Sequence, residues 1–571
     1  MESFVKEYSY DNKEIFRIEK NNRKLYLGSK YNMNDEIALI HKNIKNTPSL
    51  KRIIVFGAGN GAWLEGLDDI TTGKNILVVE PNRKLYEMFI NKKHDVNENY
   101  ISATCMEYED YYNNMLGFVA NCNVSIFVFS NYDFVYENKF RMFIEKVKLM
   151  IIDQKIAENT NKEYCKIWLE NYLSNIKYIL NADILNKYDN LFKSKPAIVV
   201  SAGPSLDKNL KLLKGNEEKF IIIAVGRALK ALEKEGIKAD FTSVIDGSEK
   251  MYEVFKDSLD SNIPLLFNEQ TGNKIVKQYK GKKIFFSTRE FVNADKEILD
   301  CEPISLFQGG SVAHACIDFA RVLGCDPVIF IGQDLAYTDD KTHADNSISS
   351  FEKNNIDKET DFYIDGIDGG KVRTNYDLNI FKERIEMMIK LYNNTTFINA
   401  TEGGAHIEGT VVRNLKDVIE EYNEQIDKIV LNKNFKIECS KEEVVKKLNN
   451  IYVDLENIIE LCNEAKTING NLIRLYIKNN NKFNKAINRL DEIDVLIKKN
   501  RGLTYLFETL MIVIDNNLVN KFSSISEDSE VITDKIKLVS EKGEFLNNEF
   551  IKAFTYGKSL IKKYIDELED V

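Results

Sequence analysis

Gln333, Asp334, Tyr337, Asp339, Asp340, Thr342 and His343 crowd one short stretch of this 571-residue chain. Carboxylates, a phenol, a hydroxyl and an imidazole so close together could take a proton from a reacting hydroxyl or stabilise a charged leaving group. They follow the apolar run Val328 to Gly332, which reads as a fully buried strand. Before it, Gly309 and Gly310 make a bend and Ser311 stands at a helix N-cap. Val312, Ala313, Cys316, Ile317, Ala320 and Leu323 then recur at helical spacing until Gly324. In an open α/β sheet, ligands bind outside the carboxyl ends of the strands, where this loop would lie.

A second stretch, Pro196 to Lys214, has the same form: a buried strand, a sharp turn at Ser201, Ala202 and Gly203, then Pro204 and Ser205 opening a helix. Such a turn aims backbone N–H groups and the positive helix end at an anion, most simply a phosphate, and Ser205 adds a hydroxyl donor. Further strand ends bring Gly226, Asp246, Thr401 and Glu402 to the same edge, with His406 in the glycine turn behind them. Asp246 reads equally well as a turn-capping aspartate. The polar stretch 346–374 reads as a flap beside this edge, ending in a hairpin with Asp368 and Gly369 at its tip.

The elements that must position these groups are α/β. Strands alternating with helices over 196–412 predict a mostly parallel, Rossmann-like central domain. Residues 1–135 predict an N-terminal Rossmann-like domain, with strands at Arg52 to Gly57 and Asn75 to Asn82 around the loop GAGNGAW. Glu80 lies near the roughly 20-residue spacing of a ribose-binding acid, but the glycine pattern is incomplete. A scaffold is therefore expected there, not an S-adenosylmethionine site. Residues 136–195 read as a helical bridge and 413–571 as a C-terminal helical bundle serving recognition or oligomerisation.

Composition limits the function. A formal net charge of −10 argues against a nucleic-acid binder relying on overall positive charge. No apolar run approaches a membrane span, and the N-terminus lacks an apolar signal core, so a cytoplasmic location is expected. The scattered cysteines form no C-x-x-C pair, which predicts reduced thiols without a zinc site. There is no P-loop and no D-x-D triplet, so a metal-clamped diphosphate donor is not expected.

The stretches PAIVVSAGPSLDKNL, GIKADFTSVIDG, GGSVAHA, GCDPVIFIGQDLAYTDDKTHA and TEGGAHIEGT resemble the bacterial motility accessory factors, which glycosylate flagellin. The resemblance covers about 160–412 well and includes an MptE-like central domain. The core is also distantly similar to bacterial sialyltransferases, but carries Ala202 where they have asparagine; of their two tyrosines Tyr337 matches one, and His343 falls near the other. The resemblance implies transfer of a nonulosonic acid, pseudaminic or legionaminic, from a CMP-activated donor to Ser or Thr hydroxyls of flagellin. It implies an inverting path with no required cofactor, His343 or the rival His406 as base, and Tyr337 and Asp334 in the same catalytic set. Ser201, Ala202, Gly203, Pro204, Ser205, Gly226, Asp246, Gly309, Gly310, Ser311, Gln333, Thr401 and Glu402 would bind the nucleotide. Two other readings stand beside this one. A pterin pyrophosphokinase-like enzyme would need a divalent metal, for which Asp334, Asp339 and Asp340 could supply a cluster. A non-catalytic flagellin chaperone would use the helical bundle.

Overall fold

The computed structural model describes residues 4–20, 23–47, 52–67, 75–93, 101–108, 110–119, 124–338, 341, 343–344, 361–478, 480–522 and 531–570. The chain divides into two compact units. The first comprises Met1–Glu163, Ala465–Asn488 and Ile512–Glu549; the second comprises Tyr164–Glu464, Arg489–Met511 and Phe550–Val571. The helical stretch after 413 contributes to both units.

In the first unit, β1 (Phe4–Tyr8), β2 (Glu14–Lys20) and β3 (Arg23–Leu27) form an antiparallel sheet that buries Phe16, Ile18 and Leu27. Charged residues fill much of these strands and mask their apolar alternation, so the sequence reading missed them. The second sheet is parallel, with β4 (Arg52–Phe56), β5 (Ile76–Glu80), β6 (Ile101–Cys105) and β7 (Val124–Val128) in the order β6-β5-β4-β7. The expected Rossmann-like unit is therefore present, with β6 as an added strand.

The second unit is built on a nine-stranded sheet among the described residues, every pairing parallel. Its strands begin with β8 (Asp183–Ile184), β9 (Ala197–Val200), β10 (Ile221–Val225) and β11 (Phe241–Ser243). They continue with β12 (Leu265–Phe267), β13 (Lys283–Phe285) and β14 (Val328–Ile331). A two-stranded hairpin follows, β15 (Phe362–Asp365) and β16 (Lys371–Thr374), as the glycine-rich sequence predicts. The sheet closes with β17 (Phe397–Asn399) and β18 (Val411–Val412). Its order is β18-β17-β14-β9-β10-β11-β12-β13-β8. The central strands are apolar throughout because helices cover both faces of a parallel sheet; Ile198, Val200, Ile222, Ile223, Ile329 and Phe330 are all buried. The bridge expected at 136–195 supplies β8 itself, besides the long helix Glu137–Ile179.

Candidate functional site

From β9 the chain runs through β10 to β13 on one side of the sheet; from β14 it runs through β17 and β18 on the other. The reversal falls between neighbours β9 and β14, and such a switch point leaves a crevice at the carboxyl edge. Both stretches singled out from sequence end there.

Asp334 ties them together. Its carboxylate accepts hydrogen bonds from the Ser205 hydroxyl at 2.9 Å, from the Ser205 N–H at 3.3 Å, and from the Thr338 hydroxyl. Burial pushes this carboxyl above its ordinary range, and the bonds from Thr338 and Ser205 oppose the rise. The donors of Ser205 face Asp334, so a carboxylate of the chain itself sits at the positive end of the helix Leu206–Leu213. Gly203 is required by the same packing: a Cβ there would lie 2.1 Å from Asp334 Oδ2 and 2.5 Å from the Gly332 carbonyl oxygen. The Gly203 N–H donates to that carbonyl at 2.8 Å. The turn after β17 presses on the other side of Asp334. Gly404 has φ +83° and its Cβ would meet the Asp334 carbonyl oxygen at 2.3 Å, while Ala405 N–H donates to that oxygen at 2.7 Å.

Tyr337 is fixed to the hairpin. Its N–H donates to the Arg373 carbonyl at 2.9 Å, its hydroxyl accepts from Asn375 Nδ2 at 2.9 Å, and the Arg373 guanidinium stands 4.8 Å from its ring centre. Burial raises the pKa of its phenol. The loop then returns to the turn after β9, where Ala344 N–H donates to the Ala202 carbonyl at 3.0 Å. Half-buried His343 is thereby held one residue from that anchor. His406 differs: it is exposed, and its N–H donates to the Asp365 carbonyl of the hairpin at 2.8 Å. Asp339, Asp340 and Thr342, and residues 346–360 of the expected flap, lie outside the described residues.

The remaining predicted residues divide by surroundings. The Ser201 hydroxyl donates to the Gln333 side-chain oxygen, joining the two loops across the crevice. Gly226 N–H donates to the Ser243 carbonyl at 3.0 Å. Asp246 takes the capping role, accepting from Ser248 N–H at 2.8 Å. Gly309, Gly310 and Ser311 build the cap of the helix Val312–Val322: Ser311 Oγ accepts from Ala313 N–H, and Ser311 N–H donates to His314 Nδ1 at 3.2 Å. His314 Nε2–H reaches the Phe381 carbonyl at 3.1 Å, and burial pushes this imidazole down to about 4, so it is neutral. Gly309 packs on its ring. Thr401 is buried, and its hydroxyl has no partner among the described residues; the same holds for the Asn399 amide nitrogen. The backbone carbonyl of Glu402 accepts from Lys208 Nζ at 3.2 Å.

Sequence reading missed the polar loops after β12 and β13. Glu269 and Asp295 are fully buried, and Ser287 Oγ lies 2.7 Å from an oxygen of each. Ser287 has one hydroxyl proton for the two carboxyls; burial first, then the neighbouring Asp295 charge, push Glu269 well up, and burial raises Asp295 as well. Beside them the Asn268 and Gln270 amide nitrogens are buried without partners among the described residues. The signal was the run FNEQT directly after an apolar strand.

The glycine loop of the first unit is filled from within. Tyr132 and Phe129 rings occupy the space over Gly57 and Gly59, and the Tyr132 hydroxyl accepts from Gly59 N–H at 2.9 Å. Glu80 is fully buried, accepting from Ala58 N–H at 2.8 Å and Asn82 N–H at 3.0 Å, and burial pushes it up to about 7. The acid at the ribose spacing is bonded to its own loop.

A doubly wound parallel sheet with polar loops gathered at its switch point defines a Rossmann-like α/β protein. Comparison with known proteins agrees. Residues 170–340 match the family described as 6-hydroxymethylpterin diphosphokinase MptE-like. The whole fold is similar to that of the MAf glycosyltransferase from Magnetospirillum magneticum AMB-1, with TM-score 0.52 and 13% identity, covering 100% of this chain and 93% of that one. An uncharacterized protein of Treponema pallidum (strain Nichols) is 30% identical over 108 residues, 16% of this chain, and the chain spans about half (50%) of that relative's length. The chain thus matches an MptE-like family model over part of its length and shares its fold with a MAf glycosyltransferase.

Proposed function

We propose that this chain is an inverting glycosyltransferase that moves a nonulosonic acid of the pseudaminic or legionaminic type from a CMP-activated donor to Ser or Thr hydroxyls of flagellin. The observation that carries the reading is the convergence of three loops at one switch point: the turn after β9, the loop after β14 and the turn after β17. The likeness in fold to a MAf glycosyltransferase supports it. A donor with one bridging phosphate needs less charge neutralisation than a diphosphate, so buried amides and hydroxyls such as those of Asn399 and Thr401 at the end of β17 suit it. In the reaction the acceptor oxygen bonds to the anomeric carbon as the carbon–oxygen bond to CMP breaks. The bonding pair leaves with CMP, and His343 takes the acceptor proton. Tyr337 donates toward the departing phosphate. Asp334, bonded to Ser205 and Thr338, positions the two loops.

Intact-mass analysis of flagellin co-expressed with this chain and a nonulosonic acid pathway tests the proposal. The expected result is added mass in steps of one nonulosonyl residue, absent without the chain. Unmodified flagellin that still binds the chain would favour the chaperone reading. The MptE-like match favours one enzymatic rival, diphosphate transfer to a hydroxymethylpterin. AMP release from ATP with that acceptor would support it.

A further inference from the structure

A cavity of about 620 Å³ opens in the first unit, and the glycine loop does not line it. Its walls carry Lys20, Arg83, Lys84 and Lys139 against Glu87 and Glu107, a surplus of cations over acids. Arg83 Nε is 3.0 Å from Glu87, and Lys139 Nζ is 2.7 Å from Glu107, so both acids are already matched. Lys20 Nζ donates to the Val135 carbonyl at 3.0 Å, and Lys84 completes the set.

The placement of two of these cations works against local stability. Arg83 and Lys84 open the helix Arg83–Lys93, whose first turn has no acid. Cations at the positive end of a helix oppose its macrodipole, and helix stability alone would favour Asp or Glu there. Tyr136, Asn138 and Lys139, where the helix Glu137–Ile179 begins, line the same cavity. An anion bound in it would relieve this repulsion. The surplus of two positive charges matches a dianion, and the volume lies in the usual range for small-molecule sites.

We propose that this cavity binds the phosphomonoester dianion of a sugar- or nucleotide-sized molecule. The phosphate lies among Lys20, Arg83, Lys84 and Lys139, and the sugar hydroxyls donate hydrogen bonds to the remaining lone pairs of the Glu87 and Glu107 carboxylates. The site goes beyond the transfer reaction, whose donor is a phosphodiester and whose crevice lies in the other unit.

Calorimetry on the full chain tests this with ribose 5-phosphate, AMP and, as a neutral control, ribose. Saturable binding of at least one ester with a Kd below about 1 mM, and none of ribose, is expected. Stronger binding of AMP points to a nucleotide, and equal binding to a sugar phosphate. Lys84→Glu should weaken the ester by about tenfold or more. The same variant should melt, without ligand, at the parent temperature or higher, because its acid suits the helix end. A second variant, Arg83→Gln, should weaken binding in the same direction. Failure of both esters to bind, ribose binding as well as its phosphate, or unchanged affinity in a folded Lys84→Glu would overturn the proposal. None of these results depends on glycosyl transfer, so the two proposals fail separately.

Discussion

The two units each contain a parallel sheet with a glycine turn after an apolar strand, and the turns have opposite contents. Above Gly57 and Gly59 stand the rings of Tyr132 and Phe129, and the loop's donors are used by Glu80 and the Tyr132 hydroxyl. Around Gly203 the packing partner is Asp334, a polar group from the neighbouring strand's loop, and buried amides and hydroxyls nearby keep open valences. A strand–glycine–helix joint therefore specifies a close backbone approach without specifying what approaches. A ring makes the joint a core element; a carboxylate and a returning loop keep it polar.

The largest expected effects separate the turns by function. Gly203→Val forces a side chain into Asp334 and should abolish binding of a CMP-linked sugar, read by calorimetry, with the helices of the first unit still folded by circular dichroism. His343→Ala should cut transfer to flagellin by roughly 10²-fold or more, with donor affinity changed less than about tenfold, because its work is done in the transition state. His406→Ala, at an exposed position, should transfer near normally in the same assay. A dead His406→Ala beside an active His343→Ala would move the base to the turn after β17.

The next effects are electrostatic and opposite in sign. Glu80 has its folded pKa raised to about 7, so the folded state holds the proton that the unfolded state releases near 4.5. Stability from this group therefore falls as pH rises from 4.5 through about 7, by about 3 kcal/mol in total. Glu80→Gln should flatten that slope in the first unit. His314 has its folded pKa lowered to about 4 from 6.5, so stability in the second unit is lost as pH falls across that window, again by about 3 kcal/mol. Hydrogen exchange of β4 and β5 against the helix Val312–Val322, followed from pH 4 to 8, separates the two slopes. The smallest effect is an absence: S-adenosylmethionine should not raise the melting temperature, because the loop that would hold it is filled. A shift of several degrees, lost in Glu80→Ala, would break the contrast.

Much of the second unit was legible because its strands are nearly pure apolar runs bounded by glycine, as at AIVVSAG and VIFIG. The spacing of Ser311 and Gly324 likewise marked the helix between them. The antiparallel sheet β1–β3 was hidden by charged residues on its outer face. Contacts between residues far apart in sequence were not legible: Asp334 on Ser205, Tyr132 over Gly57, or Glu269 beside Asp295. Each depends on which strands become neighbours, and a local pattern of residue types carries no such information. The role of His314 was missed for the same reason, since its cap bond is local but its burial under Phe381 is not.

The most direct test of the central claim is a hydrogen-exchange footprint of a CMP-linked nonulosonic acid on the full chain. The account predicts protection of 200–206, 331–344 and 400–406, with none at 56–63. Protection at 56–63, or a central crevice unchanged by saturating donor, would contradict it.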